Sequence, residues 1–273
     1  MSRIAGVFDK LRAKNRAAFI PFIMAGDPDA DISLEILKGL PSAGADIIEL
    51  GVAFTDPMAD GPSVQAAGLR ALQAGQTLSK TLDLVRAFRR ENDTTPIVLM
   101  GYFNPIHHRG AEKFAAEASA AGVDGLIVVD APPEEDGPLR AAAGREGLDV
   151  IRLATPTTDD ARGRIVTDGA SGFLYYVSVA GVTGAASARV EDVAHAILQL
   201  KKGSELPVAL GFGVKTPAQA EAFAKAADAV VVGSAIVDQI RDTLEKDGAE
   251  SNNIVHTVLS FASDIANAVH HAR

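Results

Sequence analysis

The chain has 273 residues, enough for one large domain or two small ones with a full hydrophobic core. Hydrophobic residues make up 47% and charged residues 22%, close to the averages of soluble globular proteins, which excludes disordered, fibrous and collagen-like classes. Lys plus Arg is 26 against 35 for Asp plus Glu, giving a formal net charge of -9, and no basic run is long enough to follow a nucleic-acid backbone. Nucleic acid is excluded as a partner.

The first residues carry charges throughout, and Ile4, Val7, Phe8 and Leu11 recur at helical spacing, so the N-terminus reads as an amphipathic helix and not as a signal peptide. No uninterrupted stretch of about 20 apolar residues exists to span a membrane. With no cysteine, the fold owes nothing to disulfides, thiolate metal sites or a Cys nucleophile, and a cytoplasmic location is the expectation.

Short apolar, β-branched runs then recur at 18–24, 46–51, 96–101, 125–130, 150–154, 172–177, 208–213 and 229–233, as expected of strands buried on both faces. Between them lie segments with helical spacing, among them 32–40, 63–73, 78–92, 112–120, 190–200, 218–226 and 235–244. Gly44, Gly122, Gly147 and Gly169 each precede a short polar step into the next strand, the place of a helix-ending left-handed turn. A repeated helix, glycine, strand unit implies parallel strands with right-handed crossovers. Eight such strands in roughly 250 residues predict a (β/α)8 TIM barrel with an extra N-terminal helix and additional helices after strands 2 and 8. An open doubly wound sheet is disfavoured, because Met24-Ala25-Gly26-Asp27-Pro28 is no dinucleotide fingerprint. No linker divides the chain, so residues 1–273 are read as one domain.

The longest crossover runs from Gly51 to Pro96, and in a barrel the loops following strands build the active face. Glu49 sits within an apolar strand between Ile48 and Leu50, so alternation points it to the opposite face from both, into the barrel. A carboxylate there has a raised pKa, as a general acid near neutral pH requires. Asp56 and Asp60 lie in the loop after it; each alone reads as a turn or capping residue. A strand carboxylate facing a loop carboxylate across a pocket, however, is an arrangement that divides two acids into different roles.

Glycines form the second set: Gly181 and Gly184 after the sixth strand, Gly211 and Gly213 after the seventh, and Gly233 with Ser234, a candidate helix cap, after the eighth. Barrels frequently hold phosphate at these positions, where backbone N–H groups at a helix terminus supply local positive potential whatever the net charge. No nucleophile elbow, P-loop or paired-His metal motif appears, and no strand run carries the Lys of a Schiff-base aldolase. His107, His108, His270 and His271, the run Glu134-Glu135-Asp136 and Lys201-Lys202 read as surface features, and Lys215 as the start of a helix.

The segments Pro21-Phe22-Ile23-Met24-Ala25-Gly26-Asp27-Pro28, Glu49-Leu50-Gly51 through Asp60-Gly61-Pro62, Met100-Gly101-Tyr102-Phe103-Asn104-Pro105, Asp130-Ala131-Pro132-Pro133-Glu134-Glu135 and Gly181-Val182-Thr183-Gly184 together resemble the tryptophan synthase alpha chain family, in family order and over the whole length. The resemblance implies a retro-aldol lyase that cleaves indole-3-glycerol phosphate to indole and glyceraldehyde 3-phosphate, with Glu49 and Asp60 as the catalytic carboxylates. It further implies phosphate binding by Gly184, Gly213, Gly233 and Ser234, an indole pocket of Phe22, Met100, Ile127, Tyr175, Phe212 and Val232, and a lid containing Thr183. Asp56, Pro57, Phe103, Asn104 and Pro105 match the surface that docks a beta chain in an alpha2-beta2 heterotetramer. That partner carries the pyridoxal phosphate, so no cofactor or metal is expected in this chain. Ala53, Thr55 and Ala131 depart from the family pattern, and losing the usual Pro at 53 predicts a less rigid loop. The competing readings are a stand-alone indole-releasing lyase, another phosphate-binding barrel such as a sugar-phosphate isomerase or epimerase, and a chain acting chiefly as an allosteric partner.

Overall fold

The computed structural model describes residues 2–177, 190–211, 213–247 and 251–273. Helix α1 (Arg3–Ala13) leads into β1 (Ala18–Met24) and α2 (Ala30–Gly39). β2 (Ile48–Gly51) is followed by α3 (Pro62–Gln73) and α4 (Leu78–Arg89), and β3 (Ile97–Gly101) by α5 (Phe103–Arg109) and α6 (Ala111–Ala121). Single strand–helix units follow: β4 (Gly125–Val128) and α7 (Gly137–Arg145), β5 (Asp149–Ala154) and α8 (Asp160–Thr167), β6 (Leu174–Val177) and α9 (Val190–Lys202), β7 (Val208–Gly211) and α10 (Pro217–Ala224). The chain ends with β8 (Ala229–Val232), α11 (Ser234–Asp247) and α12 (Ser251–His270). The strands pair in parallel in chain order, and β8 closes onto β1, making the expected barrel.

Alternation divides the strand residues into two cores. In β1, Phe19 and Ile23 point outward among the helices, whereas Ala18, Ile20, Phe22 and Met24 point inward. The four glycines between helix and strand hold φ of 98°, 96°, 73° and 80°, a conformation that costs other residues about a kcal/mol or more. At the N-terminal end of the barrel, α1 inserts Ile4, Phe8 and Leu11 against Ala18, Ile20 and Phe173, with the Phe8 and Phe173 ring centroids 5.8 Å apart. That end is plugged, which leaves the C-terminal end for a site.

Carboxylates at the N-terminal ends of strands staple neighbouring units. Asp46 Oδ2 accepts the Phe19 N–H at 2.9 Å, Asp124 Oδ2 the Ile97 N–H at 2.8 Å, and Asp228 Oδ2 the Val208 N–H at 2.8 Å. Two expectations are corrected here. His270 is not a free surface residue: its Nε2 lies 2.9 Å from Asp46, fastening α12 to the foot of β2. Asp136 is not solvated but buried, held by Arg152 from β5 at 2.7 Å, because the loop before α7 folds back over β5. Beyond the additional helices expected after strands 2 and 8, β3 too is followed by two helices, the first of which, α5, carries exposed His107 and His108.

Candidate active site

At the open end, β2 delivers Glu49 in register with Phe22 of β1 and Val98 of β3. Its inward direction follows from period-2 alternation, since Ile48 and Leu50 both join the outer core. Glu49 is 1% exposed, and neither carboxyl oxygen has a hydrogen-bond partner among the described residues. Burial, followed by the nearby charge of Asp60, pushes its pKa up to about 8. A lone carboxylate in this setting sheds the cost of an unpaired charge by keeping its proton.

Asp60 reaches the same space from the β2–α3 loop. Tyr102, at the end of β3, holds that loop: its hydroxyl accepts the Ala59 N–H at 2.9 Å and hydrogen-bonds the Asp60 carboxylate. The Tyr102 ring is backed by Phe54 at 5.2 Å between centroids. Burial lifts the Asp60 pKa to about 6, and the Tyr102 hydrogen bond pulls in the opposite direction. The phenol of Tyr102 is correspondingly raised by burial and by the Asp60 charge. At neutral pH the site thus holds a protonated Glu49 beside a mostly ionised Asp60. Tyr102 has no place among the expected site residues; the only sequence signal for it was an aromatic hydroxyl at the C-terminal end of a strand.

Apolar side chains surround the pair. Phe22, Met100, Ile127 and Tyr175 point into the barrel, and α3 adds Ala67 and Ala71 over Phe22 and Met24. Tyr175 lies close enough to Glu49 for that charge to raise its phenol pKa, after the larger effect of burial. Two glycines make room: a Cβ on Gly211 would stand 2.2 Å from the Tyr175 hydroxyl, and one on Gly51 would stand 2.7 Å from Phe22 Cζ. Val232 is corrected: its side chain joins the outer core, as the opposite alternation of Val231 requires. Leu153 and Val129 face the barrel interior and were not expected to; both occupy inward positions on or just beyond their strands.

Of the glycine set, Gly211, Gly213 and Gly233 sit on the same rim, at or just past the C-terminal ends of β7 and β8. Gly213 has a φ of 77° and open space where a Cβ would be, and Gly233 lies beneath the first turn of α11 with its position nearest to Phe22. The Gly233 carbonyl accepts the Ile236 and Val237 N–H groups, so Gly233, and not Ser234, occupies the capping position; Ser234 is the first residue of the helix and exposed. Gly181, Val182, Thr183, Gly184 and Phe212 lie outside the described residues. Asp56 and Asn104 are exposed and Pro57, Phe103 and Pro105 half-buried; Asp56 and Pro57 lie in the loop after β2 and the other three in the first turn of α5 next to Tyr102, with Met58 of the loop 78% exposed. Thr55 Oγ1 donates to Asp56 Oδ2 at 2.5 Å, a local tie in the loop where the family pattern has another residue. Among the described residues, no group of three His, Asp or Glu side chains could hold a metal ion, and no helix is long and apolar enough to cross a membrane.

Residues 8–270 match the family model described as tryptophan synthase alpha chain. The chain belongs to the tryptophan synthase alpha chain family. It is 58% identical over 271 residues to the tryptophan synthase alpha chain of Caulobacter sp. (strain K31), covering 99% of this chain and 97% of that one. Among solved structures it resembles the alpha subunit from Legionella pneumophila str. Paris, with a TM-score of 0.91, 37% identity and 98% of each chain covered. It also resembles a chain of tryptophan synthase from M. tuberculosis in its aminoacrylate-bound form, with a TM-score of 0.87, 32% identity and 99% and 100% of the two chains covered. The family's reaction, retro-aldol cleavage of indole-3-glycerol phosphate to indole and glyceraldehyde 3-phosphate, is accordingly the reaction of this enzyme.

Proposed function

We propose that Glu49 and Asp60 carry this carbon–carbon cleavage as an acid–base pair. The supporting observation is the Glu49 carboxyl group, buried without a partner in an apolar pocket and opposed by a second carboxylate. Protonated Glu49 gives its proton to C3 of the indole ring. The ring nitrogen then becomes cationic, and ionised Asp60, accepting its N–H, stabilises that charge. The Glu49 carboxylate next takes the proton of the glycerol hydroxyl; the new carbonyl forms as the C3–carbon bond breaks, and the bonding electrons return to the indole ring. Glu49 ends with its proton restored, so the cycle balances without a Schiff base or metal.

Phe22, Met100, Ile127 and Tyr175 would enclose the indole, and the backbone N–H groups at Gly213, Gly233 and Ser234, with Gly184, would hold the phosphate. Thr183 belongs to the lid. The face with Asp56, Pro57, Phe103, Asn104 and Pro105 docks the beta chain, which carries pyridoxal phosphate and condenses the indole with serine to L-tryptophan within an alpha2-beta2 assembly. The chain works as one catalytic unit in the cytoplasm. Indole release measured with and without a beta chain tests the reading: turnover that rises on adding the beta chain is the expected result. Full activity of the isolated chain favours a stand-alone lyase, and no indole under either condition refutes the assignment.

A further inference from the structure

The loop after β1 carries a carboxylate that the chemistry above leaves unused. Asp27 is 1% exposed, and its two oxygens accept from Arg70 Nε at 2.7 Å and Nη2 at 2.8 Å, a bidentate pair joining that loop to α3. A buried ion pair contributes little net stability compared with a well-packed apolar pair, whereas its fork geometry fixes placement.

What it places is the roof of the site. Helix α3 begins directly after Asp60 and Gly61, and Gln65 Nε2 on it donates to the Asp60 carbonyl oxygen at 2.8 Å. The face it turns to the barrel consists mainly of small residues, Ala67, Gly68 and Ala71, with the half-buried Val64, lying over Phe22 and Met24. Small side chains interlock weakly, so they leave the height and register of the helix over the barrel mouth loosely set. The Arg70 fork, anchored on the buried Asp27, supplies that constraint. We propose that Asp27 and Arg70 are positioning residues for the cleavage reaction, holding α3 so that the Asp60 carboxylate stays opposed to Glu49 and the apolar wall over Phe22 stays closed. The inference rests on the acid–base reading of Glu49 and Asp60.

Steady-state indole release by the complex with the beta chain is compared for the parent, Arg70→Met, Arg70→Lys, Asp27→Asn and, as a reference, Glu49→Gln. Each variant's folded state at the assay temperature is checked by circular dichroism. In Arg70→Met kcat falls about 10²-fold, the scale of a misplacement near 1 Å, while KM stays within threefold. Arg70→Lys, which keeps the charge but not the fork, and Asp27→Asn lose about tenfold in kcat. Folded Arg70→Met with kcat within twofold of the parent overturns the proposal, as does a loss expressed mainly in KM. If Arg70→Met fails to fold, Asp27→Asn and Arg70→Lys decide by the same kcat criterion. An inactive Glu49→Gln beside a fully active Arg70→Met sinks the positioning role alone, whereas an active Glu49→Gln removes the acid–base reading on which it rests.

Discussion

The carboxylates at the foot of the barrel and the two in its open pocket use the same chemical group in opposite ways. At the plugged end, Asp124 pairs with Arg3 at 2.8 Å and Arg89 at 2.6 Å and accepts a backbone N–H; Asp46 pairs with Arg16 and His270, and Asp228 with Lys201. At the open end, Glu49 has no hydrogen-bond partner for either oxygen among the described residues, and Asp60 is hydrogen-bonded by the phenol of Tyr102. A satisfied buried carboxylate staples the fold, while an unsatisfied one holds its proton near neutral pH and is available for proton transfer.

The sharpest way to break this contrast is to neutralise one carboxylate at each end. Glu49→Gln should reduce kcat for indole release by about 10³-fold or more while leaving substrate affinity within a few-fold, as expected for loss of an acid–base group. The same variant should be more stable than the parent, and increasingly so with rising pH. Between the ordinary value of 4.5 and about 8, the folded parent retains a proton that its unfolded chain has released, so its stability falls across that window and the Gln variant escapes the loss. Urea denaturation at pH 5 and pH 8.5 reads this out; a gap that fails to widen contradicts the unpaired, buried state of Glu49.

Asp124→Asn should do the reverse. Removing one partner from a buried, doubly paired site costs about 3–5 kcal/mol in urea unfolding, while kcat per folded molecule stays within about twofold. A large kcat loss at unchanged stability would erase the distinction between the ends. Tyr102→Phe sharpens the open end itself: the loss of a hydrogen bond to a charged group predicts about a tenfold fall in kcat. The kcat/KM profile of the parent should rise as Asp60 ionises near 6 and fall as Glu49 loses its proton near 8. Because the Tyr102 hydrogen bond lowers the Asp60 pKa, its removal moves the rising limb to higher pH; a limb that stays put shows that Tyr102 does not act through Asp60. The smallest effect belongs to His270→Gln at the plugged end, where losing one partly buried contact costs about 1 kcal/mol with no change in turnover.

The amino-acid sequence by itself determined the barrel. Eight apolar runs separated by helical segments, with glycines at the helix ends, leave little but a closed parallel sheet, and period-2 alternation alone put Glu49 inside it. Its isolation among apolar neighbours was legible too, since no basic residue stands near it in the chain. Resemblance to the family put Val232 in the pocket, and the structure turned it to the outer core. Only the tertiary structure decided which charges meet. His270 joins Asp46, Arg152 joins Asp136, and Arg70 joins Asp27 across 224, 16 and 43 positions of the chain. Local propensity carries no information on such pairings, because they depend on how separate units close around one axis. For the same reason Asp60, a loop residue with a turn former's ordinary reading, comes close to Glu49 only because Tyr102 and α3 hold its loop there.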